Sequence, residues 1–204
     1  MVMHLATDQI RAMKVINKLT DKVVKTIYDE LNVLKSIDHP GIVKVFEYFQ
    51  DDKNLYVVME YLRGGSVFDR MKVIGRFGER ESAYIMKQVL QALNYCCERR
   101  IVHRDLKLEN ILFSHEEQLQ IKIVDFGSAL NLEQYSVKKT NRIITSYYVA
   151  PEVVNKDENI IKCDVWSSGV ILFILLSGSL PFKGNTENEI FDKVVKGLYN
   201  FDDP

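Results

Sequence analysis

The hydrophobic pattern of the chain changes at Gly64 and Gly65, and this change limits the folds that are open to it. Before the two glycines, apolar residues occur in short stretches interrupted by polar ones, which is typical of strands. We predict a strand over residues 10–16 and a hairpin formed by residues 42–49 and 55–61. The chain therefore begins with a small sheet.

Helical spacing dominates the rest of the chain. Apolar residues at intervals of three and four predict one helix over about residues 21–36, beside the small sheet, and another over about residues 80–98. A third helix is predicted through residues 165–177 and a last one near residues 187–196. A β-rich part followed by a mainly helical part indicates an α+β fold.

One stretch of the helical part has no period. A small hairpin is predicted from residues 111–113 and 120–124, and no regular pattern is visible from 125 to 152. A structureless segment of this length inside a compact domain is usually functional. We therefore expect part of the site in residues 125–152.

Composition excludes several classes of protein. The 204 residues include 27 lysines and arginines against 28 aspartates and glutamates, and 47% of all residues are hydrophobic. This near-neutral balance is typical of a globular protein and gives no bulk signal for binding nucleic acid or an anionic membrane. We expect protein partners and no nucleic acid.

The start of the chain and its cysteines indicate a cytoplasmic protein. Residues 1–10 lack the basic and apolar regions of a secretory signal, and the longest apolar run, 165–176, is too short to span a membrane. The three cysteines, Cys96, Cys97 and Cys163, show neither a CxxC spacing nor a zinc-site pattern. We expect reduced thiols.

Four short motifs follow one another along the chain. They are RAMK at residues 11–14, HRDLKLEN at 103–110, DFG at 125–127 and APE at 150–152. In this order and in these structural contexts, they resemble the strand lysine, catalytic loop, metal-binding tripeptide and activation-segment end of the eukaryotic protein kinases. The resemblance implies a protein-kinase-like two-lobed α+β fold with ATP and Mg²⁺ as its ligands.

The resemblance assigns catalytic roles to the second and third motifs. It implies that Asp105 orients the substrate hydroxyl and accepts its proton, and that Lys107 neutralises charge on the transferred phosphate. Asn110 and Asp125 are expected to hold Mg²⁺, a hard cation that prefers oxygen ligands. His103 is expected to be structural, packed with apolar residues, rather than a base.

The same resemblance assigns the nucleotide site. Lys14 is expected to bind the α- and β-phosphates, with Glu30 of the first predicted helix as its ion-pair partner. Taken singly, both would be ordinary surface residues. Adenine is expected between apolar walls and backbone groups of the interlobe connection, and the residues implied are Ala12, Met59, Glu60, Leu62 and Leu112. Met59 and Leu112 are equally compatible with plain core positions.

Residues around the catalytic loop indicate the type of kinase. Lys107 and Glu109, in the catalytic loop, make the sequence resemble serine/threonine kinases rather than tyrosine kinases. Thr145, seven residues before Glu152, supports the same type. Longer stretches such as LKSIDHPGIVKVFEYF at 34–49 resemble the calcium/calmodulin-dependent group, especially calcium-dependent protein kinases. A calcium-sensing regulator or an upstream kinase would then lie outside this chain, because no EF-hand loop is present.

Arg104 precedes the catalytic aspartate, an arrangement that in relatives couples to a charged group on the activation segment. Among the hydroxyls of that segment, we expect Thr140 to be phosphorylated. Asp164 is expected to anchor the catalytic-loop backbone, or to cap a helix, or both. Ser66 stands where basophilic relatives usually have glutamate, which leaves Glu109 as the acidic residue facing a substrate arginine.

The chain also departs from the family pattern at its ends. The glycine-rich GxGxxG loop is absent before Val2, and the sequence stops at Pro204, before the last helices of the large lobe. We therefore expect a partial domain, with an N-terminal lobe over residues 1–62 and a C-terminal lobe over 63–204. The alternative function is that of a catalytically weak or inactive kinase fragment that binds nucleotide or protein.

Overall fold

The computed structural model of the protein describes residues 1–18, 31, 34–132, 146–157 and 160–201. Its N-terminal lobe contains a four-stranded antiparallel sheet in which the fourth strand of the chain lies between the second and the third, and the first lies at the edge beside the second. The strands are β1 (Val2–His4), β2 (Gln9–Asn17), β3 (Val45–Gln50) and β4 (Asn54–Glu60). The predicted strand and hairpin are confirmed, whereas the three-residue strand β1 was not predicted.

The hairpin of β3 and β4 is closed by the side chain of Asp51. Its Oδ1 atom accepts hydrogen bonds from the backbone N–H groups of Lys53 and Asn54, at 2.8 and 2.7 Å. The hydroxyl of Tyr56 donates to its Oδ2 atom at 2.7 Å. These bonds fix a tight turn and with it the register of the two strands. Leu55 and Val57 of β4 then pack with Leu31 in a small core of their own.

The C-terminal lobe is mainly helical. Its helices are α1 (Val67–Ile74), α2 (Glu79–Glu98), α3 (Pro151–Val154), α4 (Cys163–Ser177) and α5 (Glu187–Lys196). Two pairs of short antiparallel strands join them, β5 (Ile101–Val102) with β8 (Leu130–Asn131) and β6 (Ile111–Phe113) with β7 (Ile121–Ile123). The predicted hairpin at 111–124 and helices α2, α4 and α5 are confirmed.

Some predictions need correction, and others fall outside the described residues. Helix α1 and the pair β5 and β8 were not predicted. The aperiodic segment 125–152 contains β8 and a turn of 3₁₀ helix at Phe126–Ser128, and its residues 133–145 lie outside the described ranges. The predicted helix at 21–36 also lies largely outside them, although Leu31 and residues 34–36 are helical.

The main core lies between α2, α4 and the β6–β7 hairpin. Ile85 and Val89 of α2 and Ile171 and Leu175 of α4 are buried there, at spacings of four residues that give each helix one buried face. Leu34 belongs to the same core cluster, so the core continues into the N-terminal lobe. None of the helices in the described ranges combines the length and the apolar character needed to cross a membrane.

The connection between the lobes pairs with strand β6. The N–H groups of Arg63 and Gly64 donate to carbonyl oxygens of the β6 region, and Phe113 donates back to the carbonyl of Gly65 at 2.9 Å. A Cβ atom at Gly64 would lie 2.5 Å from the Cβ of Phe113 and 2.5 Å from the carbonyl oxygen of His115. This close approach to β6 requires glycine at position 64.

Candidate active site

A cavity of about 510 Å³ lies between the N-terminal sheet and the β6–β7 hairpin. Ala12 of β2, Met59 of β4 and Leu112 of β6 line it, and these are three of the residues that the resemblance implies for the adenine site. Ala12 and Met59 are register partners in neighbouring strands, so their side chains share one face of the sheet. The walls are therefore largely apolar, as in many nucleotide sites.

Two residues predicted for the nucleotide site, Glu60 and Leu62, are not among those that line the cavity. Glu60 is the last residue of β4, and its side chain forms an ion pair with Lys122 of β7 at 2.9 Å. Its backbone N–H donates to the carbonyl of Lys44. Leu62 is half-buried in the connection between the lobes.

The loop at 103–110 rests on a buried carboxylate. Asp164 of α4 is 6% exposed, and its two oxygens accept the backbone N–H groups of His103 and Arg104 at 2.7 and 2.9 Å. The anchoring role expected for Asp164 is confirmed. Asp164 is not a helix cap, because Lys162 is the N-cap residue of α4 and Asp164 lies inside the first turn of the helix.

The thiol beside this carboxylate supports it. The Sγ atom of Cys163 lies 3.8 Å from Oδ1 of Asp164. Burial raises the pKa of the Cys163 thiol well above its ordinary value, and the charge of Asp164 raises it further. The thiol therefore stays protonated at neutral pH and can donate a weak hydrogen bond to the carboxylate.

His103 is fully buried and holds the loop from inside, as predicted. Its Nδ1 atom lies 3.3 Å from the backbone N–H of Asp105, and its Nε2 atom lies 3.1 Å from the carbonyl oxygen of Val124. Since the first partner is a donor and the second an acceptor, the hydrogen-bond network assigns a neutral ring protonated at Nε2. The ring also meets Phe126 edge-on, with centroids 4.6 Å apart.

Asp105 is surrounded by hydrogen-bond donors at the edge of the cavity. Lys107 Nζ donates to its Oδ2 atom at 2.8 Å. The buried amide of Asn110 donates through Nδ2 to the Asp105 carbonyl at 2.8 Å and to Oδ2 at 3.2 Å. Because Nδ2 faces Asp105, the oxygen of the Asn110 amide is the atom that could ligate a cation.

Lys14 and Asp125 face each other across the cavity. Lys14 Nζ donates to Oδ1 of Asp125 at 2.9 Å, and the two side chains are 44% and 45% exposed. Burial by itself would raise the pKa of Asp125, but the hydrogen bond and charge of Lys14 lower it, and the net shift is downward. Asp125 is therefore ionised at neutral pH, as a cation ligand must be.

Asp125 has a left-handed backbone conformation, with φ of 60°. This is unusual for a residue with a side chain, although aspartate tolerates it better than most. It lies between β7 and the 3₁₀ turn at Phe126–Ser128, whose first residue packs against the ring of His103. The strained position directs the carboxylate to Lys14.

The donor set fits a magnesium ion. Among the described residues there is no cluster of three histidine, cysteine, aspartate or glutamate side chains that could form a protein-only cage. Asp125 and Asn110 both line the cavity and offer a carboxylate and an amide oxygen. Mg²⁺ is usually held by one or two such ligands together with substrate phosphates and water.

Other predicted residues lie around this site or beyond the described ranges. Glu109 is exposed and lines the cavity, and Arg104 donates through Nε to the carbonyl of Ser128 at 2.6 Å. Glu30, Thr140 and Thr145 lie outside the described residues.

Sequence reasoning missed the structural role of Ser66. Its hydroxyl accepts the backbone N–H of Asp69 at 3.0 Å, donates to the Asp69 carboxylate at 2.6 Å, and so caps helix α1. The serine-x-x-aspartate spacing is a helix-start pattern, and it could have located α1.

The fold and this site define a class of protein. A sequence model described as "Protein kinase domain" matches residues 1–203, and the chain belongs to this family. The two-lobed kinase fold expected from the motifs is thereby confirmed, with a β-sheet lobe preceding a helical lobe.

The chain is similar to calcium-dependent protein kinases of Plasmodium. It is 45% identical to calcium-dependent protein kinase 4 of Plasmodium berghei (strain Anka), over 98% of this chain and 38% of that protein. It is 41% identical to calcium-dependent protein kinase 5 of Plasmodium falciparum (isolate 3D7), over 96% and 34%. The chain thus spans little more than a third of the length of these relatives. The resemblance to this kinase group is confirmed.

Proposed function

We propose that the chain catalyses transfer of the terminal phosphoryl group of ATP to serine or threonine hydroxyls of protein substrates. The observation that carries the proposal is the position of Asp105 beside Lys107 and Asn110, next to the cavity that Lys14 and Asp125 close. A proton acceptor, two phosphate-binding cations and two cation ligands are the parts that phosphoryl transfer needs.

Asp105 is the proposed proton acceptor. The substrate hydroxyl oxygen forms the new bond to the terminal phosphorus, the bond to the bridging oxygen breaks, and ADP leaves. The hydroxyl proton passes to the Asp105 carboxylate, which the Asn110 amide orients. Lys107, 2.8 Å from that carboxylate, neutralises charge on the transferred group.

The nucleotide and metal roles are proposed from the same geometry. Lys14 binds the α- and β-phosphates, and Asp125 and Asn110 hold Mg²⁺, which supplies positive charge to the phosphates when bound. Ala12, Met59 and Leu112 enclose the adenine, and the backbones of Glu60 and Leu62 offer it hydrogen bonds. In this assignment Glu30 is the further ion-pair partner of Lys14.

We place the boundary between the lobes after residue 62. The pairing of Arg63, Gly64 and Gly65 with strand β6 supports this boundary, because these residues are bound to the C-terminal lobe. Residues 1–62 then form the N-terminal lobe, and residues 63–204 form the C-terminal lobe.

Preference for serine and threonine is proposed from Lys107, Glu109 and Thr145. We also propose weak selection for a substrate arginine, in which Glu109 is the acidic contact. The capping bond of Ser66 to Asp69 supports this, because the hydroxyl is already used and carries no charge. Loss of one charge-assisted contact commonly costs about 1.5 to 3 kcal/mol.

Regulation is proposed at two levels. Phosphate on Thr140, added by an upstream kinase, would offer Arg104 a charge-assisted hydrogen bond. The names of the relatives describe them as calcium-dependent. A calcium-sensing element outside this chain is the proposed second regulator.

A cytoplasmic location is proposed from the thiols. Cys96, Cys97 and Cys163 are free in the structure, and burial raises the pKa of Cys96 to about 12. Unpaired cysteines are typical of reducing compartments.

The test is a phosphotransfer assay with matched aspartate variants. The 204-residue chain is incubated with Mg²⁺ and labelled ATP beside peptides that differ only in carrying serine, threonine or tyrosine. We expect Asp105→Asn to lower turnover by about 10²- to 10⁴-fold, since it removes the proton acceptor. The control is Asp192→Asn, on the exposed face of α5, where turnover should be unchanged. Full activity of the Asp105 variant, or nucleotide binding by the parent chain without turnover, would overturn the proposal.

A further inference from the structure

The side chain of Glu60 turns away from the cavity and joins the two lobes behind it. Its Oε2 atom lies 2.9 Å from Nζ of Lys122, and the side chains are 29% and 14% exposed. Glu60 ends strand β4 of the N-terminal sheet, and Lys122 is the central residue of β7 in the other lobe. The ion pair is therefore a direct bridge between the lobes.

Both partners are next to residues that shape the cavity. Glu60 follows Met59, which lines the cavity from the N-terminal lobe. Lys122 is the register partner of Leu112, so the two side chains share one face of the hairpin, and Leu112 lines the cavity from below. Asp125 follows three residues after Lys122. A shift between Glu60 and Lys122 would therefore move both walls and the proposed cation ligand.

A third segment is bound to the same carboxylate. The backbone N–H of Lys44 donates to Oε2 of Glu60 at 3.3 Å, and the Glu60 N–H donates to the Lys44 carbonyl at 2.9 Å. One residue earlier, the Val43 N–H donates to the carbonyl of Ile123 in β7 at 3.0 Å. Segment 43–44, the end of β4 and strand β7 thus meet at one point.

The second ion pair across the cavity cannot play this part once ligands bind. Lys14 and Asp125 hold the lobes together at the front, but the proposed function requires one for phosphate and the other for the cation. The ion pair is formed by side chains of residues that are not among those lining the cavity, so a ligand in the cavity does not compete for either charged group. Low exposure also reduces its screening by solvent.

We propose that Glu60 and Lys122 are positioning residues that keep the two walls of the cavity aligned while ATP is bound. This inference rests on the proposed function. The pair acts on the nucleotide through Met59, Leu112 and Asp125. The loop that carries Asp105 is anchored separately on Asp164. Loss of the ion pair should therefore weaken ATP binding more than it slows the chemical step.

The test compares four single variants of the chain. Lys122→Met and Glu60→Gln remove one charge each, Lys122→Arg keeps the charge, and Lys196→Met breaks an exposed ion pair of similar geometry on α5. The Kd of Mg²⁺·ATP is measured by calorimetry, kcat and the KM for ATP by peptide phosphorylation, and the Tm by thermal unfolding.

We expect Lys122→Met and Glu60→Gln each to raise the Kd and KM for ATP about three- to tenfold, with kcat changed less than about twofold. The double variant that combines Lys122→Met with Glu60→Gln should bind ATP no more weakly than either single variant, because both substitutions remove the same interaction. Lys122→Arg should restore most of the affinity, and Lys196→Met should change neither constant.

Two results would overturn the inference. A lower Tm with an unchanged Kd would show a purely structural pair, and tighter ATP binding or faster turnover would show a restraint on the lobes. Calorimetry also separates this inference from the proposed function. If the parent chain binds ATP without phosphorylating any peptide, the proposed function fails and the Kd values still decide the role of the pair. If the parent chain does not bind ATP, both fail.

Discussion

The two sides of the cavity are held in place by different means. The loop at 103–110 rests on Asp164, a buried carboxylate that accepts two backbone N–H groups, and on the buried ring of His103. On the opposite side, Lys14 is held by an ion pair with Asp125 in which both side chains are nearly half exposed. The loop is held by Asp164 and His103, which have no proposed contact with ligands. Lys14 is held by Asp125, and both of these residues are proposed to bind ligands themselves.

This difference separates what the fold supplies from what ligands can change. Hydrogen bonds from backbone N–H groups to a buried carboxylate are strong and poorly screened. A half-exposed ion pair contributes little, commonly below about 1 kcal/mol. The loop that carries Asp105 is therefore in position before any ligand arrives, whereas Lys14 and Asp125 can exchange each other for phosphate and a cation at small cost.

The largest loss of stability and activity is expected when the buried carboxylate that anchors the loop at 103–110 is altered. Asp164→Asn replaces one acceptor oxygen by an NH₂ group that faces a backbone N–H donor, and it removes the charge from the other bond. We expect unfolding free energy to fall by about 3 kcal/mol or more and phosphoryl transfer to fall with it. Urea unfolding measures the first effect and a peptide assay the second. Asp192→Asn is the matched exposed control, and equal stability of the two variants would contradict the comparison.

A smaller effect is expected from breaking the exposed side. Lys14→Met removes the hydrogen bond and charge that lower the pKa of Asp125, while burial, which raises it, remains. The pKa of Asp125 should therefore rise. In the parent chain the lowered pKa of Asp125 stabilises the fold at every pH above the ordinary carboxyl pKa of 3.8. This contribution to stability is lost as the pH falls through the pKa of the folded state. The variant should lose less stability over that acidic range.

Carboxyl NMR titration and pH-dependent unfolding measure these two changes. The matched control is Lys196→Met, which breaks an exposed ion pair of 2.8 Å on α5, far along the chain from Asp125. An Asp125 pKa that stays at its parent value in Lys14→Met would show that Lys14 does not hold the carboxylate ionised.

The smallest effect is a change in the pKa of His39 when the charge of Lys122 is removed. Burial lowers the pKa of this ring first, and the positive charges of Lys122 and Arg99 lower it further. Lys122→Met should therefore raise the His39 pKa towards 6.5, and Lys196→Met should leave it unchanged. Proton NMR titration of the ring measures this. A fall in the His39 pKa would place Lys122 elsewhere than the structure does.

Regular periodicity made much of the fold predictable. The alternation around Lys14 located β2, and spacings of three and four located α2. The observed bounds of β2, α2 and the last helix, α5, agree with the prediction within one residue. Helix α1 was missed because its eight residues bury only Val67 and Met71, and one buried pair is too short a pattern to establish a helical repeat. Strands β5 and β8 have two residues each, and they are separated by almost thirty residues of chain, so no local pattern joins them.

The site was predictable where chemistry requires one residue type at a fixed spacing. Asp105, Asn110 and Asp125 belong to motifs of this kind, and the structure brings them together. The ion pair of Glu60 with Lys122 was not predictable, because the two residues are far apart in sequence and each looks like an ordinary surface charge.

The hydrogen bonds of residues 63–65 to strand β6 limit how the lobes can move. Glu60 belongs to the rigid sheet, and Gly64 is packed too closely on Phe113 to rotate freely. Opening of the cleft would turn the chain at Tyr61 and Leu62, and it would also have to break the ion pair of Glu60 with Lys122 and the hydrogen bond of Val43 to Ile123. With so short a pivot, the N-terminal sheet moves as a lever, in which a few degrees at its base become a displacement of ångströms at the far edge of β1.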